Sequence, residues 1–255
     1  MKPKIIYYEN ELEDDFSGFQ RKKIRIDQSY VYERGWLWRG VAFLLYPCVR
    51  FAAYLYMRLG FHLKIINRKI LKKYKREGYF LYANHTHAPA DGFLPSLVCY
   101  PKHVHILVTS ENLSVRGTKN ILAMLGATPI PHTLQGMKHF KAYIHTLMEK
   151  GRVVMIYPEA HIWPYYTKIR PFTDTSFAYP YFEQRPVFTF TVTYQKKKRR
   201  IRMTCYIDGP FYPTSTSKKE AIHSLREQAY QAMVERSKQS SYEKIKYIKR
   251  ESEKK

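Results

Sequence analysis

Apolar positions change their spacing repeatedly along this chain, and the alternation predicts an α/β domain over residues 65–237. Short continuous apolar runs predict strands, and apolar residues three or four positions apart predict helices. The predicted strands cover 78–83, 103–109, 128–131, 152–157, 186–194 and 201–207. The predicted helices cover 119–125, 136–150 and 218–237, and residues 89–100 are predicted as a loop entering a helix. This order predicts a mixed sheet flanked by helices in one domain, since 255 residues can bury a substantial single core.

Residues 35–64 are apolar and rich in aromatic side chains, with Arg39, Arg50 and Arg58 interrupting the pattern. The uninterrupted apolar pieces are shorter than the roughly 20 residues that span a bilayer. Pro47 is expected to divide the segment, which predicts a pair of membrane-associating helices lying in the interface. A buried helix pair covering the core and a single tilted span are the alternatives.

The two ends of the chain lack such periodicity. Residues 1–34 predict a polar arm, and residues 238–255 predict a Lys-rich tail that frays. The first residues have neither the basic start nor the apolar core of a secretory signal. We therefore expect a protein kept in the cytoplasm, peripheral or anchored in-plane on the cytoplasmic face of the cell membrane.

A formal net charge of +23 predicts polyanionic partners. Basic residues recur along the whole chain rather than within one nucleic-acid-binding module, so an anionic membrane surface is favoured and nucleic acid is not expected. The three cysteines, Cys48, Cys99 and Cys205, are widely separated, which indicates a reducing compartment and no disulfide framework.

The densest group of chemically useful residues lies at 84–92, between a predicted buried strand and a helix. His85 and Asp91 can meet if the loop curls back, and the carboxylate would then orient the imidazole as a general base. The chain has no Gly-x-Ser-x-Gly motif and no cysteine in an activating setting. The base would therefore act on a hydroxyl of the substrate. A capping Asp and a structural His are the alternative.

A second group follows the predicted strand 152–157, where Pro158 ends the strand and Glu159 and His161 lie at its tip. Glu159 could bind an acceptor or organise the loop. The alternative is a carboxylate paired with a surface Lys or Arg.

A strand followed by Asn-His, a nearby Asp and a later strand ending in Pro-Glu together resemble the glycerolipid acyltransferases, the lysophosphatidic acid acyltransferase superfamily. The resemblance covers roughly residues 65–210 and includes blocks at 109–113, 126–131 and 185–188. It implies an N-terminal membrane-associating helix pair and direct transfer of an acyl group to a lysophospholipid, converting lysophosphatidic acid to phosphatidic acid. The implied donor is a thioester of acyl carrier protein or coenzyme A, or an acyl phosphate. No cofactor or metal is implied.

The resemblance also implies roles for individual residues. His85 is the expected base and Asp91 its partner, and the expected substrate-binding residues are Asn84, Glu159, His161, Arg170 and His132. The family places four residues between His and Asp, whereas five separate His85 from Asp91 and three separate His87 from Asp91, so His87 is the alternative base.

Two arginines that bind the acceptor phosphate in the family are missing. The family's Pro-Glu-Gly-Thr-Arg is here Pro158-Glu159-Ala160-His161-Ile162, and His132 stands where the preceding block often ends in Arg. The candidates to replace them are Arg170, Lys138, Lys119 and Arg116. Arg170 is favoured because it closely follows the aromatic run 163–166.

The sequence is also compatible with two rival functions. A metal-dependent hydrolase would use His85-x-His87 and Asp91, completed from His103, His105, His132, His139 or His161, although the block departs from the usual ligand spacing. A non-catalytic protein binding anionic membranes or nucleic acid would account for the charge and for the aromatic content of 16%.

Overall fold

A computed structural model describes residues 3–18, 24–113, 119–198 and 200–250. The strands are β1 (Lys4–Tyr8), β2 (Lys64–Ile66), β3 (Tyr79–Ala83), β4 (Val104–Val108), β5 (Ala127–Pro129), β6 (Val153–Ile156), β7 (Val187–Lys197), β8 (Arg200–Phe211) and β9 (Ile245–Lys249). The helices are α1 (Trp36–Gly60), α2 (Ala88–Val98), α3 (Lys119–Met124), α4 (Leu134–Glu149), α5 (Ala178–Glu183) and α6 (Lys218–Ser237).

Seven strands form the central sheet in the order β2-β8-β7-β3-β6-β4-β5. β7 and β8 are antiparallel, and every other neighbouring pair is parallel. The predicted α/β fold with a mixed sheet flanked by helices is confirmed. β3 and β6 are buried along their whole length, because central parallel strands are covered by helices on both faces.

Alternation along β3 divides the core into two layers. Leu81 and Ala83 face a cluster that includes Met57 of α1 and Leu94 of α2. Phe80 and Tyr82 point to the opposite face, where the buried side chains of α4 and α6 are Phe140, Ile144, Leu147, Met148, Leu225, Ala229 and Met233. Successive strand residues point to opposite faces, so β3 contributes side chains to both layers and is packed on both sides.

The predicted helix pair at 35–64 is wrong, because α1 is a single helix that continues through Pro47. Proline removes one backbone hydrogen bond, but side chains on both sides of it are buried against the domain: Tyr46 before it, and Ala53 and Met57 after it. The Tyr46 hydroxyl also accepts a hydrogen bond of 3.2 Å from the Val104 amide of β4. Packing on both sides of the proline therefore keeps the two halves in line.

α1 is long and apolar enough to cross a membrane, judged by length and composition. Only 17% of its most apolar window is buried. The exposed large apolar side chains on it are Trp36, Leu37, Val41, Phe43, Leu44, Phe51, Tyr54, Leu55, Tyr56 and Leu59. This helix is therefore packed on one side and presents a broad apolar face on the other.

The expected loose arm and fraying tail are also wrong for the described residues, because β1 and β9 pair in parallel, with Lys4 opposite Ile245 and Tyr8 opposite Lys249. The physical reason is aromatic burial. Tyr8 lies 4.7 Å and Tyr247 4.8 Å from the ring of Trp163, between ring centroids. Rings of this size bury enough apolar area to order two segments with weak local preferences.

Two half-buried histidines predict sensitivity to acid. Burial, and then the nearby Arg152 and Arg50, lower the pKa of His103 to about 4, and burial lowers the pKa of His105 well below its usual value. The folded chain then binds fewer protons than the unfolded chain, so stability is present above pH 6.5 and is lost as the pH falls toward 4. His103 alone accounts for up to about 3 kcal/mol at pH 4.

We therefore expect the thermal unfolding temperature to fall between pH 6.5 and pH 4, with a shallower fall in His103→Gln. Replacement of the exposed His139 by Gln serves as the control and should leave the slope unchanged. An identical slope in His103→Gln would contradict the assignment.

Candidate active site

Parallel pairing of β3 and β6 brings the two sequence motifs together. Tyr82 is opposite Ile156 in the register, and His85 and Glu159 each lie three residues further along. The Oε2 atom of Glu159 accepts a hydrogen bond of 3.1 Å from the His85 amide. The motifs therefore meet at the carboxyl edge of the sheet, where sites form in α/β folds.

His85 and Asp91 form a direct pair. The distance from His85 Nδ1 to Asp91 Oδ2 is 2.7 Å, and the same oxygen accepts a hydrogen bond of 2.8 Å from the His87 amide. A carboxylate partner places the proton on Nδ1 and leaves Nε2 as an acceptor. Asp91 is buried, whereas the His85 side chain is 23% exposed. The pair can therefore present Nε2 to a substrate hydroxyl.

The five residues that separate His85 from Asp91 include the N-cap and the first turn of α2. Asp91 lies in the first turn of this helix, where the free amides and the helix dipole stabilise a negative charge. His87 is the N-cap residue, and its Nδ1 accepts from the Ala90 amide at 3.4 Å. The extra residue is thus accommodated in the capping turn, and the side chains of His85 and Asp91 still meet.

His87 has partners for both ring nitrogens. Besides the contact with Ala90, its Nε2 lies 3.2 Å from the hydroxyl of Tyr165. Burial lowers the pKa of His87, which keeps the ring neutral in the capping position. Among the described residues, both ring nitrogens of His87 are thus engaged, whereas Nε2 of His85 has no hydrogen-bond partner.

Tyr157 supports the pair and was not singled out by the sequence, although it stands at the tip of the apolar strand before Pro158. Its ring stacks on His85 with centroids 4.4 Å apart. Its hydroxyl donates a hydrogen bond of 2.6 Å to the backbone carbonyl of Asp91. Both members of the His85–Asp91 pair are therefore held by the side chain of the residue that follows β6.

Asn84 was expected to contact substrate, but it faces the sheet. Its Oδ1 accepts from the Val192 amide at 2.8 Å, and its Nδ2 donates to the Val192 carbonyl at 3.0 Å. The side chain is buried. Asn84 therefore fastens the end of β3 to β7, which fixes where His85 emerges.

Glu159 and Arg170 form a fully buried ion pair, with Oε2 to Nη2 at 3.2 Å. The Arg170 amide donates to Oε1 at 3.0 Å, and its guanidinium also donates to the carbonyls of Glu11 and His161. Burial raises the pKa of Glu159, and Arg170 opposes the rise. Arg170 is thus already neutralised, which differs from the expectation that it holds the acceptor phosphate. Glu159 organises the loop, one of the two roles foreseen for it.

The remaining expected residues are dispersed. His161 is half-buried and uses its backbone to contact Glu159 and Arg170. His132 is exposed, with Nε2 3.4 Å from Ser110 Oγ. Lys138 and Lys119 are exposed on α4 and α3, and Arg116 lies outside the described residues. In the described part of the chain, no hydrogen bond or ion pair joins the side chains of these residues to His85.

Ala160 stands where the family that the sequence resembles has glycine after Pro-Glu. Its φ is +61°, in the left-handed region that glycine adopts without steric cost. The chain keeps this turn with alanine because the next residues are tied to His85 and Thr86, through backbone bonds from Trp163 and Tyr165.

The loop 159–170 is covered by a terminal clasp, defined as residues 3–18 together with 241–250. Trp163 Nε1 donates to the Asp14 carbonyl at 2.8 Å, and Tyr247 Oη donates to the Pro164 carbonyl at 3.0 Å. Lys244 Nζ lies 4.0 Å from the centre of the Tyr165 ring. The aromatic run at 163–166 was the sequence signal for this contact. The run alone does not show that it packs against the two ends of the chain.

A metal centre is not supported by the arrangement of side chains. Among the described residues, no three His, Cys, Asp or Glu side chains converge as ligands. His85 is bonded to Asp91, and His87 is engaged at both nitrogens. The ligand set proposed for a metal-dependent hydrolase is therefore not assembled.

A family model described as Acyltransferase matches residues 63–213, more than half of the chain. The fold is similar to the crystal structure of the 1-acyl-sn-glycerophosphate (LPA) acyltransferase, PlsC, from Thermotoga maritima. The TM-score is 0.55 at 14% identity, covering 84% of this chain and 87% of that chain. No curated protein sequence matches the chain. At this identity the structural likeness concerns the fold alone.

The buried ion pair generates a stability prediction. Replacement of Arg170 by Met leaves Glu159 buried without its cation, and we expect the free energy of unfolding to fall by about 3–5 kcal/mol. Urea denaturation measures the change. Arg185→Met, which breaks a more exposed pair with Glu149, is the control and should cost at most about 1 kcal/mol. Equal losses in the two variants would contradict the role given to Arg170.

Proposed function

Since the chain belongs to the acyltransferase family, as the resemblance in its sequence implied, we propose that it transfers a fatty acyl group from an activated donor to the hydroxyl of a lysophospholipid. Lysophosphatidic acid is the proposed acceptor and phosphatidic acid the product. The observation that carries the proposal is the 2.7 Å contact between His85 Nδ1 and Asp91, which leaves Nε2 of a partly exposed imidazole for the hydroxyl.

In the proposed mechanism, Nε2 of His85 takes the proton of the acceptor hydroxyl as its oxygen bonds to the carbonyl carbon of the donor. The bond from that carbon to the thiolate or phosphate then breaks, and His85 returns the proton to the leaving group. Asp91 stabilises the imidazolium formed between the two steps. General-base assistance of this kind contributes a factor of about 10²–10⁴.

The proposed acceptor rests on the fold and on charge. The similar crystal structure is that of a 1-acyl-sn-glycerophosphate acyltransferase, which supports a lysophospholipid acceptor. Because Arg170 is paired with Glu159, another cation must hold the acceptor phosphate. Lys244 lies over Tyr165, whose hydroxyl contacts His87 beside the catalytic pair. Lys244, in the terminal clasp, is therefore an additional candidate for holding the acceptor phosphate.

Three classes of acyl donor fit the proposed chemistry. Acyl carrier protein, coenzyme A and acyl phosphate all present a carbonyl carbon with a good leaving group. The mechanism above is the same for each, and it requires no metal or redox cofactor.

Membrane association belongs to the same proposal. A lysophospholipid leaves the bilayer only by exposing its chain, at about 0.8 kcal/mol for each CH₂. α1 packs on the domain through Tyr46, Ala53 and Met57 while its opposite face is apolar and exposed. A helix held in this way favours in-plane docking on the cytoplasmic face over an independent span.

The catalytic assignment is tested by acyl transfer from a labelled acyl thioester to lysophosphatidic acid in mixed micelles. We expect His85→Ala to lower kcat by about 10²–10⁴, and Asp91→Asn to cause a loss of similar order because the tautomer is no longer fixed. His87→Asn should retain activity, since asparagine caps a helix as well as histidine does here.

Circular dichroism on each variant checks that the fold is intact. Activity that survives His85→Ala but disappears in His87→Asn would move the base to His87. An inactive but folded unaltered protein, tried with thioester and acyl phosphate donors, would reject the proposed acceptor.

The membrane role of α1 is tested by sedimentation with vesicles. The double variant Phe43→Ser and Leu44→Ser removes two side chains that are 78% and 68% exposed, and we expect vesicle partitioning to fall by about tenfold or more. Leu134→Ser, at an 89% exposed position on α4, is the control and should leave partitioning unchanged. An equal fall in vesicle partitioning for the α1 double variant and for Leu134→Ser would refute docking through α1.

A further inference from the structure

A groove runs between α1 and the C-terminal end of α2, with β2 at its base, and encloses about 550 Å³. Its outer wall is the stretch of α1 from Pro47 to Arg58, about three helical turns. Leu97 and Tyr100 contribute to the inner wall. We call it the arginine groove, because Arg50, Arg58 and Arg68 all line it.

The charge of the arginine groove is not balanced within the protein. Among the described residues, no acidic side chain lines it. The arginines that form ion pairs are Arg170, Arg185, Arg226, Arg236 and Arg250, and in the described part of the chain the three groove arginines have no carboxylate partner. A concave site with three unpaired guanidinium groups attracts an anion.

Two of these arginines are held in place before any ligand arrives. Arg68 donates from Nε to the Val98 carbonyl at 3.0 Å and from Nη2 to the Tyr100 carbonyl at 2.9 Å. Arg50 is half-buried, and its guanidinium lies 4.3 Å from the centre of the Tyr100 ring. A stacked guanidinium has its rotamers restricted but keeps its in-plane N–H groups, which suits bidentate binding of a phosphate.

The N–H groups of Arg50 lack acceptors. Among the described residues, its side-chain contacts are with the rings of Tyr46 and Tyr100, and no oxygen accepts from it. Water in the groove can satisfy such a group, but an anion also neutralises its charge. Arg50 is therefore the centre of the expected binding site.

The walls around these cations are apolar. Phe51 and Tyr54 of α1 line the groove and are themselves largely exposed, so they connect it to the apolar face of that helix. Charge and apolar surface next to each other match an amphiphile with a phosphate head. We propose that the arginine groove binds one molecule of an anionic phospholipid, with the phosphate at Arg50 and Arg68 and an acyl chain along α1.

This site is distinct from the catalytic pair. Leu97 is six residues beyond Asp91 on α2, which places the groove about 9 Å further along that helix. The proposal rests on the proposed membrane association of α1, since the bilayer supplies the lipid. It does not rest on acyl transfer.

Native mass spectrometry of the full-length protein in a neutral detergent tests the inference, with dioleoyl phosphatidic acid and dioleoyl phosphatidylcholine as probes. We expect one phosphatidic acid to be retained in preference to phosphatidylcholine. Arg50→Gln should weaken its retention by about tenfold or more, because hydrogen bonds to a charged partner are lost. Arg50→Lys keeps the charge but loses the planar fork. Its retention of phosphatidic acid should lie between that of the unaltered protein and that of Arg50→Gln.

Arg39→Gln is the matched control, since it removes the same charge from the exposed surface of α1 outside the groove. Its retention of phosphatidic acid should stay within about twofold of the unaltered protein. If Arg50→Gln does not fold, Arg58→Gln, at an exposed lining position, provides the same comparison.

Three results would overturn the inference. Equal weakening in Arg39→Gln and Arg50→Gln would mean diffuse surface charge, and equal retention of the two lipids would mean no anion selectivity. Displacement of the lipid by inorganic phosphate would mean that free phosphate is the occupant. Because the readout is binding, an inactive enzyme that still retains phosphatidic acid through Arg50 would reject the proposed acyl transfer and leave the groove assignment standing.

Discussion

The buried carboxylate of Glu159 connects three parts of the molecule that must be aligned for the site to exist. It accepts hydrogen bonds from the His85 amide at the end of β3 and from the amide and guanidinium of Arg170. Arg170 in turn donates to the Glu11 carbonyl in the terminal clasp. An unpaired carboxylate at this depth costs several kcal/mol, so the fold is stable only when all three parts are in place.

This constraint explains why the family's acceptor arginine cannot simply be replaced by Arg170. The Arg170 side chain is fully buried and already balances the charge of Glu159, so it is not accessible to an acceptor phosphate. Glu159 and Arg170 therefore belong to the scaffold of the site, and the proposed chemistry falls to His85 with Asp91. In the proposed function, acceptor recognition then falls to elements outside the Glu159–Arg170 pair, such as the clasp that brings Lys244 to Tyr165.

The structural features that depend on local sequence pattern were predictable from the sequence. Buried strands such as β3 and β6 are continuous apolar runs, and motifs at their ends meet because neighbouring parallel strands end at the same edge. The His85–Asp91 pair was also predictable, since a short loop has few ways to bring the two together. These features are set by periodicity and chain connectivity, which a single sequence contains.

Long-range packing accounts for what the sequence did not predict. Pro47 indicates a break, yet α1 is continuous because Tyr46 and Met57 are both buried against the domain. β1 and β9 lie at opposite ends of the chain, and neither pattern reveals that Trp163 will bring them together. Asn84 and Arg170 follow motifs of the right type but turn inward, and their direction depends on partners more than ten residues away.

In the proposed membrane association, the charged end of α1 and its apolar face act at different steps. At its C-terminal end, desolvation and then Lys197, Arg200 and Arg202 lower the pKa of His62, which shows that positive charge is concentrated there. Exposed charges act over about a Debye length, so they speed the approach to an anionic surface and weaken as salt rises. The apolar face contributes in proportion to buried area and is little affected by salt. Salt should therefore slow capture by the membrane more than it promotes release, with the charged end of α1 governing the first step and its apolar face the second.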